Sequence, residues 1–444
     1  QLCRQDDAVP ILDREERMST DERTALQTAR LRGMVDRLLA AGGVQARRLR
    51  ESGVDSGDAV TLADLPRLPT TAKADLWDHY PLAMLAVDRA DVTVVHGSSG
   101  TSGRPTLVAY TRNDIAVWAR VMARSLVGAG ATRSSTVHNA YGYGLFTGGL
   151  GVHQGAQELG ATVVPMSGGM TSRQIRMLRD LRPDVLTCTP SYAVHLGEAL
   201  AAAGVEREEI SLRVGIHGAE PWTDAMRDRI EDLLPIRALD IYGLSEVIGP
   251  GVACGTPDSG GGLHVQEDHF LTETLDPATG EPVPAGRAGE LTFTTVTKEA
   301  LALLRYRTGD LAVLDRSPAP DGRTNVRMSR VVGRVDDMLV IRGVNVYPSE
   351  VESVLLADPG IGPHYQLVVD SRGGSPRLIV ACEARPPDDG SPAARTGAAL
   401  RERLGLRCEV RVLPAGTVPR TEVGKAVRVV RWAGGEAPLP GLDP

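Results

Sequence analysis

The chain is poor in cysteine, in aromatic residues and in long apolar runs, and each shortage excludes a class of protein. The cysteines are Cys3, Cys188, Cys254, Cys382 and Cys408. None has C-x-x-C spacing, so we expect free thiols and no disulfide framework. No apolar run approaches the roughly 20 residues that span a bilayer, and residues 1–13 lack the pattern of a secretory signal. We therefore expect a cytoplasmic protein with no membrane partner.

The overall composition is that of an ordinary globular enzyme. Of the 444 residues, 42% are hydrophobic and 24% are charged, which excludes a disordered or fibrous chain. The formal net charge of -7 argues against a surface that neutralises nucleic-acid phosphates, so we expect no nucleic-acid partner. This length allows one large domain and a smaller one.

The order of apolar patterns predicts an α/β fold with two domains. Residues 21–50 have helical spacing, and four later helix candidates are 114–127, 172–181, 193–203 and 224–234. They alternate with short strand candidates at 161–165, 185–189, 213–217 and 237–242, which predicts crossover units and a largely parallel sheet. Residues 289–315 are typical of β-structure. A second pattern of strands and helices then predicts an N-terminal domain over 1–336 and a C-terminal domain over 337–444.

A loop rich in glycine and serine follows a short β-branched strand at 92–95. Its backbone N–H groups and hydroxyls can surround phosphate oxygens. The sequence has no G-K-[ST] ending, so it is not a Walker A loop. Alone, such a loop is more often a flexible surface turn. The candidate phosphate-binding residues are Ser98, Ser99, Gly100, Thr101, Ser102 and Gly103.

Further polar segments follow this loop, and their chemistry is mutually consistent. They are GAEP at 218–221, DIYGLSE at 240–246, RYRTGDL at 305–311 and GRVDDM at 333–338. A buried Asp310 can accept both ribose hydroxyls, and Tyr242 can lie against adenine. Glu246 can hold magnesium among phosphates. Lys425, near the end, supplies a cation that can stabilise a transferring phosphoryl group.

With these segments in order, the chain resembles the acyl- and aryl-adenylating (AMP-forming) enzyme superfamily, and within it the phenylacetate–coenzyme A ligases. The resemblance extends from about residue 62 to residue 425. Its most specific stretches are HNAYGYGLFTGGLG (138–151), TPSY (189–192), GAEPWT (218–223), DIYGLSEV-x-GPGVA (240–253), EDHF (267–270) and GR-x-DDML-x-IRGVNVYP (333–348).

The resemblance implies a large adenylating domain with mixed sheets and helices, and a small mobile α+β lid. The lid turns about a hinge at Asp336 between two half-reactions. In the first, a carboxylate attacks the α-phosphorus of ATP with Mg²⁺ present, and Lys425 stabilises the charge. In the second, Lys425 leaves and the thiol of coenzyme A attacks the adenylate. Gly343 would border the thiol channel.

The resemblance also implies roles for individual residues. The Ser98–Gly103 loop would hold the pyrophosphate end, Glu246 would bind magnesium, and Asp310 with Arg334 would hold ribose and phosphate. Adenine would be framed by Ala219, Glu220, Asp240, Tyr242 and Gly243. The acid pocket would be lined by Tyr141, Phe146, Gly148, His217, Gly218 and Ala219. Phe146 is one of only 3 phenylalanines and lies among glycines, which favours a flat slot for a ring. A core contact in a glycine-rich turn is the alternative.

Two positions depart from the family pattern. Phenylacetate ligases usually have an apolar aromatic where this chain has His217, so we hypothesise a hydroxy- or amino-substituted aryl acid. The alternative is that His217 faces a polar second layer. Some relatives bind zinc through four side chains, of which this chain retains Cys254 and His264 but has Ala319 and Asp321 in place of two cysteines. We therefore predict no metal there.

The acceptor of the acyl group stays open at this stage. We expect an aryl–coenzyme A thioester as the product and a homodimer as the assembly. The alternative is a stand-alone enzyme that loads a carrier protein or an amine in natural-product biosynthesis. A nucleotide-binding sensor that has lost catalysis is disfavoured, because Lys425, Glu246, Asp310 and the serine- and glycine-rich loop are all present.

Overall fold

The computed structural model describes residues 10–98, 105–335, 337–342, 344–372, 376–385, 391–420 and 425–442. Its helices are α1 (Thr20–Ala41), α2 (Gly43–Glu51), α3 (Lys73–Asp78), α4 (Arg112–Gly128), α5 (Thr147–Leu159), α6 (Thr171–Leu181), α7 (Pro190–Ala202), α8 (Asp224–Leu233), α9 (Pro348–Ala357) and α10 (Pro392–Leu404). Among the described residues, none of these helices combines the length and the apolarity that a membrane span requires.

The strands of the large domain are β1 (Val94–Ser98), β2 (Thr106–Tyr110), β3 (Thr136–Asn139), β4 (Thr162–Pro165), β5 (Val185–Cys188), β6 (Val214–Gly218), β7 (Arg237–Leu244), β8 (Gly249–Gly255), β9 (Leu263–Val265), β10 (Phe270–Leu275), β11 (Gly289–Thr295), β12 (Tyr306–Ala312), β13 (Leu314–Asp315), β14 (Arg327–Met328) and β15 (Gly333–Arg334). Those that follow are β16 (Leu339–Ile341), β17 (Val344–Val346), β18 (Ile361–Asp370), β19 (Arg377–Ala384), β20 (Glu409–Leu413) and β21 (Val429–Trp432).

A nine-stranded sheet forms the centre of the large domain, in the order β13-β14-β9-β8-β7-β6-β5-β3-β4. From β4 to β7 neighbouring strands are parallel, as the alternation of helices and strands predicts. From β7 to β13 they are antiparallel, so the predicted parallel sheet accounts for only half of it. Short connections without a helix join β7 to β8 and β8 to β9, as antiparallel neighbours allow, whereas β14 returns to β9 after the strands of a second sheet.

Helices cover both faces of the central sheet. Alternate residues of its parallel strands point to opposite sides, and apolar residues on each side pack against helices. Val185 and Leu239 lie in the cluster that contains Trp118 of α4. Leu186 and Ala238, each one position away, lie instead in the cluster that α7 and α8 complete. This layering leaves the carboxyl ends of β5, β6 and β7 as the edge where loops can build a site.

The N-terminal helix is broken, where the sequence pattern predicts one helix over 21–50. Gly42 and Gly43 have φ values of +73° and +71°, a region that glycine enters at little cost. The chain therefore ends α1 and starts α2 at this pair. Ser19 accepts a hydrogen bond from the N–H of Glu22 and so caps α1. Both helices bury leucines against the large domain, as predicted for an amphipathic segment.

Two smaller sheets complete the large domain, and the residues after Asp336 form a small α+β unit. The sheet β10-β11-β12-β15 is antiparallel, as is the β1-β2 hairpin that flanks the glycine-rich loop. The C-terminal unit has the hairpin β16-β17 and the sheet β20-β19-β18-β21, with its own apolar cluster around Val380 and Leu355. The boundary at residue 336 stays a prediction, and Asp336 lies outside the described residues.

Candidate active site

Tyr242, Asp310 and Arg334 form a hydrogen-bonded cluster where β7, β12 and β15 come together. Asp310 and Arg334 are register partners on antiparallel strands, so their side chains share a face. The Tyr242 hydroxyl donates to Asp310 Oδ2 at 2.7 Å, and Arg334 Nη1 donates to Oδ1 at 2.5 Å. Burial raises the pKa of Tyr242 well above its usual value, so the phenol stays protonated and remains a donor. Three predicted nucleotide-binding residues are thus in direct contact.

Two glycines shape the backbone around this cluster. A Cβ on Gly218 would lie 2.2 Å from the carbonyl oxygen of Ile241, and one on Gly243 would lie 1.9 Å from that of Gly249. No other residue fits without moving a strand. Ala219 then adopts a φ of +69°, a conformation that costs a non-glycine residue free energy and that clusters at functional sites. The chain therefore turns sharply at the carboxyl end of β6.

Glu220 follows this turn and joins the large domain to the segment that carries Lys425. Its Oε1 accepts a hydrogen bond from Ser191 Oγ at 2.9 Å and another from the backbone N–H of Ala426 at 2.5 Å. The exposed Lys425 therefore stands beside the predicted adenine site. Nearby, burial raises the pKa of Asp240 to about 7. Its role at adenine stays a prediction.

The turn that carries Glu246 is held by three hydrogen bonds from two buried side chains. The hydroxyl of Tyr110 donates to the backbone oxygens of Ser245 and Ile248 at 3.0 and 3.1 Å. Nζ of Lys298, which is fully buried, donates to the backbone oxygen of Glu246 at 3.0 Å. All three hydrogen bonds end on backbone carbonyl oxygens of the turn. The Glu246 carboxylate takes part in none of them, so it is available for other partners.

Lys73, at the start of α3, places its Nζ 3.8 Å from Glu246 Oε1. Sequence reasoning missed both Lys73 and Lys298. Lys73 follows Thr-Ala, a pattern typical of a solvent-exposed start of a helix. The burial of Lys298 depends on tertiary packing, which the sequence does not display. Carboxylate oxygens are ligands that Mg²⁺ prefers, and Glu246 is 4% exposed, so this residue fits the predicted metal role.

The predicted acid pocket starts at the loop between β3 and α5. Tyr141 is buried, and a Cβ on Gly148 would touch its ring at 3.5 Å, so the two residues lie against each other. Phe146 precedes α5 and is 49% exposed, so the alternative of a core contact is not formed, and its place in the acid pocket stays a prediction. The backbone N–H of Gly97 donates to the oxygen of Leu145 at 2.9 Å. The strand that leads into the phosphate loop thereby supports the acid loop.

His217 is fully buried on the face of β6 that packs under α7 and α8. Its Nδ1 lies 3.2 Å from the backbone oxygen of Cys188, and its ring meets Trp222 edge-on at 5.9 Å. Burial lowers the pKa of His217 to about 4, so the ring is neutral. Among the described atoms Nε2 has no hydrogen-bond partner, and it points towards Gly215.

Ser98 ends β1, opposite Thr106 across the β1-β2 hairpin. This register places the two ends of the predicted phosphate loop side by side. The residues between them, Ser99, Gly100, Thr101, Ser102 and Gly103, lie outside the described residues. Their predicted contacts with pyrophosphate therefore stay predictions.

The position of the zinc site of some relatives contains an ion-pair network. Asp321 Oδ2 lies 3.0 Å from His264 Nε2 and 3.1 Å from Arg323 Nη1, and all three side chains are buried. Arg323 also donates to Glu16 at 2.8 Å. Burial raises the pKa of Cys254 to about 11, which disfavours the thiolate that zinc requires. The absence of metal here remains a prediction, which elemental analysis tests.

Comparison with known proteins identifies the class of enzyme to which this site belongs. Residues 39–297 match the AMP-binding enzyme family, and residues 343–431 match the AMP-binding enzyme C-terminal domain. The chain is 49% identical over 434 residues to the phenylacetate-coenzyme A ligase of Thermus thermophilus, covering 94% of this chain and 98% of the relative. The chain therefore belongs to the AMP-forming adenylating enzymes, in the phenylacetate–coenzyme A ligase family.

Two solved structures of one 2-hydroxyisobutyryl-CoA ligase resemble this chain to different degrees. In its postadenylation state with 2-HIB-AMP, this ligase matches with a TM-score of 0.88 at 27% identity, over 97% of this chain and 94% of that chain. In its thioesterification state, with 2-HIB-AMP and CoA, the TM-score is 0.71 at 28% identity, over 94% and 91%. At similar coverage, the chain therefore matches the postadenylation structure better than the thioesterification structure.

The family and the site together define the reaction class. The protein is an AMP-forming acid–CoA ligase that acts through an acyl-adenylate, with a carboxylic acid, ATP and coenzyme A as substrates. Sequence reasoning predicted this class. It left the lid position open.

Proposed function

We propose that the acid is aromatic and that the product is an aryl–coenzyme A thioester. The observation that carries this proposal is the buried Tyr141 ring packed against Gly148, in the segment that joins β3 to α5. A ring against a glycine leaves a flat apolar slot, which suits a planar substrate. The 49% identity to a phenylacetate-coenzyme A ligase supports the same class of acid.

The proposed first half-reaction assigns one role to each group of residues in the site. Asp310 and Arg334 bind the ribose and phosphate of ATP, while Glu220 and Tyr242 border adenine. Glu246 would hold Mg²⁺, and the ion would supply positive charge beside the phosphates. Lys425, beside Glu220, stabilises the charge on the α-phosphoryl group as the carboxylate attacks and pyrophosphate leaves.

Lys73 extends the proposed phosphate site beyond the sequence-based set. Its ammonium lies 3.8 Å from the Glu246 carboxylate, on the side where α3 approaches β2. Trp77 fixes α3 there by donating its indole N–H to Thr106 Oγ1 at 2.8 Å. A cation at this place attracts the terminal phosphates of ATP. We therefore assign Lys73 to binding of the polyphosphate chain.

A hydroxy- or amino-substituted aryl acid is a second candidate, favoured by the unpartnered Nε2 of His217. A buried polar nitrogen without a partner costs about 1–3 kcal/mol, which a substituent on the acid would recover. Nε2 faces Gly215, so the imidazole has to turn towards Gly218 before it can meet the substituent. This candidate therefore requires a rotation of the ring on binding.

The test is acid-dependent pyrophosphate release with phenylacetate, benzoate, their hydroxy and amino derivatives, and short fatty acids, each with and without coenzyme A. The proposal expects the largest kcat/KM with an aryl acid and an aryl thioester in the presence of coenzyme A. A preference for aliphatic acids would refute the aromatic pocket. An adenylate whose turnover coenzyme A does not change would favour a carrier protein or an amine as acceptor. The homodimer and the cytoplasmic location remain predictions.

A further inference from the structure

The lid and the large domain share a buried contact between α9 and α8. Leu356 of α9 packs against the cluster that contains Trp222 and Met226 of the large domain. At the edge of this contact Glu352, also on α9, is only 2% exposed. A buried carboxylate is costly unless it is paired and hydrogen-bonded, so its partners determine whether this contact is stable.

Both oxygens of Glu352 have partners, and one partner comes from the other domain. Thr223 Oγ1, of the large domain, donates to Glu352 Oε1 at 3.1 Å. The hydroxyl of Tyr365, on the lid, donates to Oε2 at 3.0 Å, and Arg428 Nη2 lies 3.7 Å from the same oxygen. Burial raises the pKa of Glu352, while Arg428 opposes this rise. The cross-domain hydrogen bond thus joins a network of lid side chains.

The same network fixes the segment that carries Lys425. Arg428 lies three positions after Lys425 and covers the ring of Tyr365 at 4.3 Å. Between them, the N–H of Ala426 donates to Glu220 at 2.5 Å. A second cross-domain pair, His364 Nε2 with Glu198 Oε2 at 3.0 Å, lies on the same interface. The segment around Lys425 thus contacts the large domain through Glu220 and the Glu352 network through Arg428.

We propose that the Thr223–Glu352 hydrogen bond is a latch that holds the lid where Lys425 serves adenylate formation. Thr223 and Glu352 are positioning residues, since they act through Lys425. The hydrogen bond is present in a structure that matches the postadenylation state at a TM-score of 0.88 and the thioesterification state at 0.71. In this proposal, the lid movement between the two states separates α9 from α8. The Thr223–Glu352 hydrogen bond must then break before the second half-reaction can take place. This inference rests on the proposed role of Lys425.

The test uses a matched pair of variants at Thr223, which also caps α8 by accepting a hydrogen bond from the N–H of Met226 at 3.3 Å. T223S keeps the cap and the donor to Glu352. T223D keeps a good N-cap but places a second carboxylate against Glu352. The two half-reactions are measured separately. The first is acid-dependent exchange of pyrophosphate into ATP, and the second is thioester formation from supplied acyl-adenylate and coenzyme A.

If the latch exists, T223D slows the first half-reaction about tenfold, which corresponds to roughly 1.4 kcal/mol in activation free energy. The rate of the second half-reaction stays within about twofold of wild type. T223S leaves both near wild type. The double variant T223D/E352Q, in which an amide can donate to the new aspartate, recovers the first rate. Equal losses in both half-reactions, no loss in either, or no recovery in the double variant would overturn the latch.

A K425A control separates this inference from the proposed function. If K425A loses pyrophosphate exchange and T223D does not, the latch fails while the role of Lys425 stands. If K425A retains exchange, the proposed role of Lys425 fails first. These two failures are distinguishable in the same assay, with the same acid and ATP concentrations.

Discussion

Replacing Lys298 with methionine should leave the protein folded and disturb the turn that carries Glu246, the proposed Mg²⁺ ligand. The Lys298 side chain is fully buried, with Nζ 3.0 Å from the backbone oxygen of Glu246 and 4.5 Å from the centre of the Tyr110 ring. Burial lowers the pKa of Lys298 from about 10.5 to about 8, although the negative charges of Asp114 and Glu246 oppose the shift. The folded state therefore holds this charge at a cost of about 3 kcal/mol.

Two opposing contributions determine how K298M changes the free energy of unfolding. Methionine has a similar shape and removes the cost of about 3 kcal/mol, but it leaves the Glu246 carbonyl oxygen without a donor, a loss of about 1–3 kcal/mol. The net change in the free energy of unfolding near pH 7 is then within about 2 kcal/mol of zero. Activity responds differently, because a small shift of the Glu246 turn can lower the rate by up to about 100-fold.

The sign of the pH dependence gives the sharper assay. Because the folded pKa of Lys298 lies below that of the unfolded chain, wild-type stability rises as pH increases from about 8 to about 10.5. Denaturant unfolding at about pH 7 and about pH 9.5 should show a gain of roughly 2 kcal/mol in wild type relative to K298M. Identical pH dependence in the two proteins would refute the reasoning, as would a K298M enzyme with wild-type pyrophosphate release.

Three further predictions concern other residues of the site. K425A should lower pyrophosphate exchange about 100-fold or more and leave thioester formation from supplied adenylate intact, because the proposed role of Lys425 is confined to the first step; loss of both rates would contradict this. K73M should raise the KM for ATP about tenfold with little change in the KM for the acid, because one phosphate contact is lost; steady-state kinetics with each substrate varied decides. H217F should shift the preference from substituted to plain aryl acids, and unchanged kcat/KM ratios would remove His217 from specificity.

Much of the fold was predictable from the sequence, because helical and strand periodicities are local. The crossover units between β3 and β7 produce strong patterns of this kind. The break at Gly42–Gly43 was missed, since the apolar spacing continues across it and only the positive φ values reveal the turn. The antiparallel half of the central sheet was missed as well. Its strands β9, β13 and β14 are two or three residues long, too short to show a period.

Some residues of the candidate site could be predicted from sequence motifs, and others could not. Asp310, Tyr242 and Arg334 lie in recognisable motifs, and the structure brings them into contact. Lys73 and Lys298 have no motif, and their roles depend on which segment of the chain packs against Glu246. A lysine becomes a buried anchor only through tertiary packing, which one sequence does not display. The cross-domain bond of Glu352 was hidden for the same reason.

The central claim is that this protein joins a carboxylic acid to coenzyme A through an adenylate. The most direct measurement incubates the enzyme with phenylacetate, ATP, Mg²⁺ and coenzyme A, and separates the nucleotide and thioester products by chromatography. The account predicts AMP and phenylacetyl thioester in equal amounts, with neither formed when the acid is omitted. Formation of ADP, or of AMP without any thioester when coenzyme A is present, would contradict it.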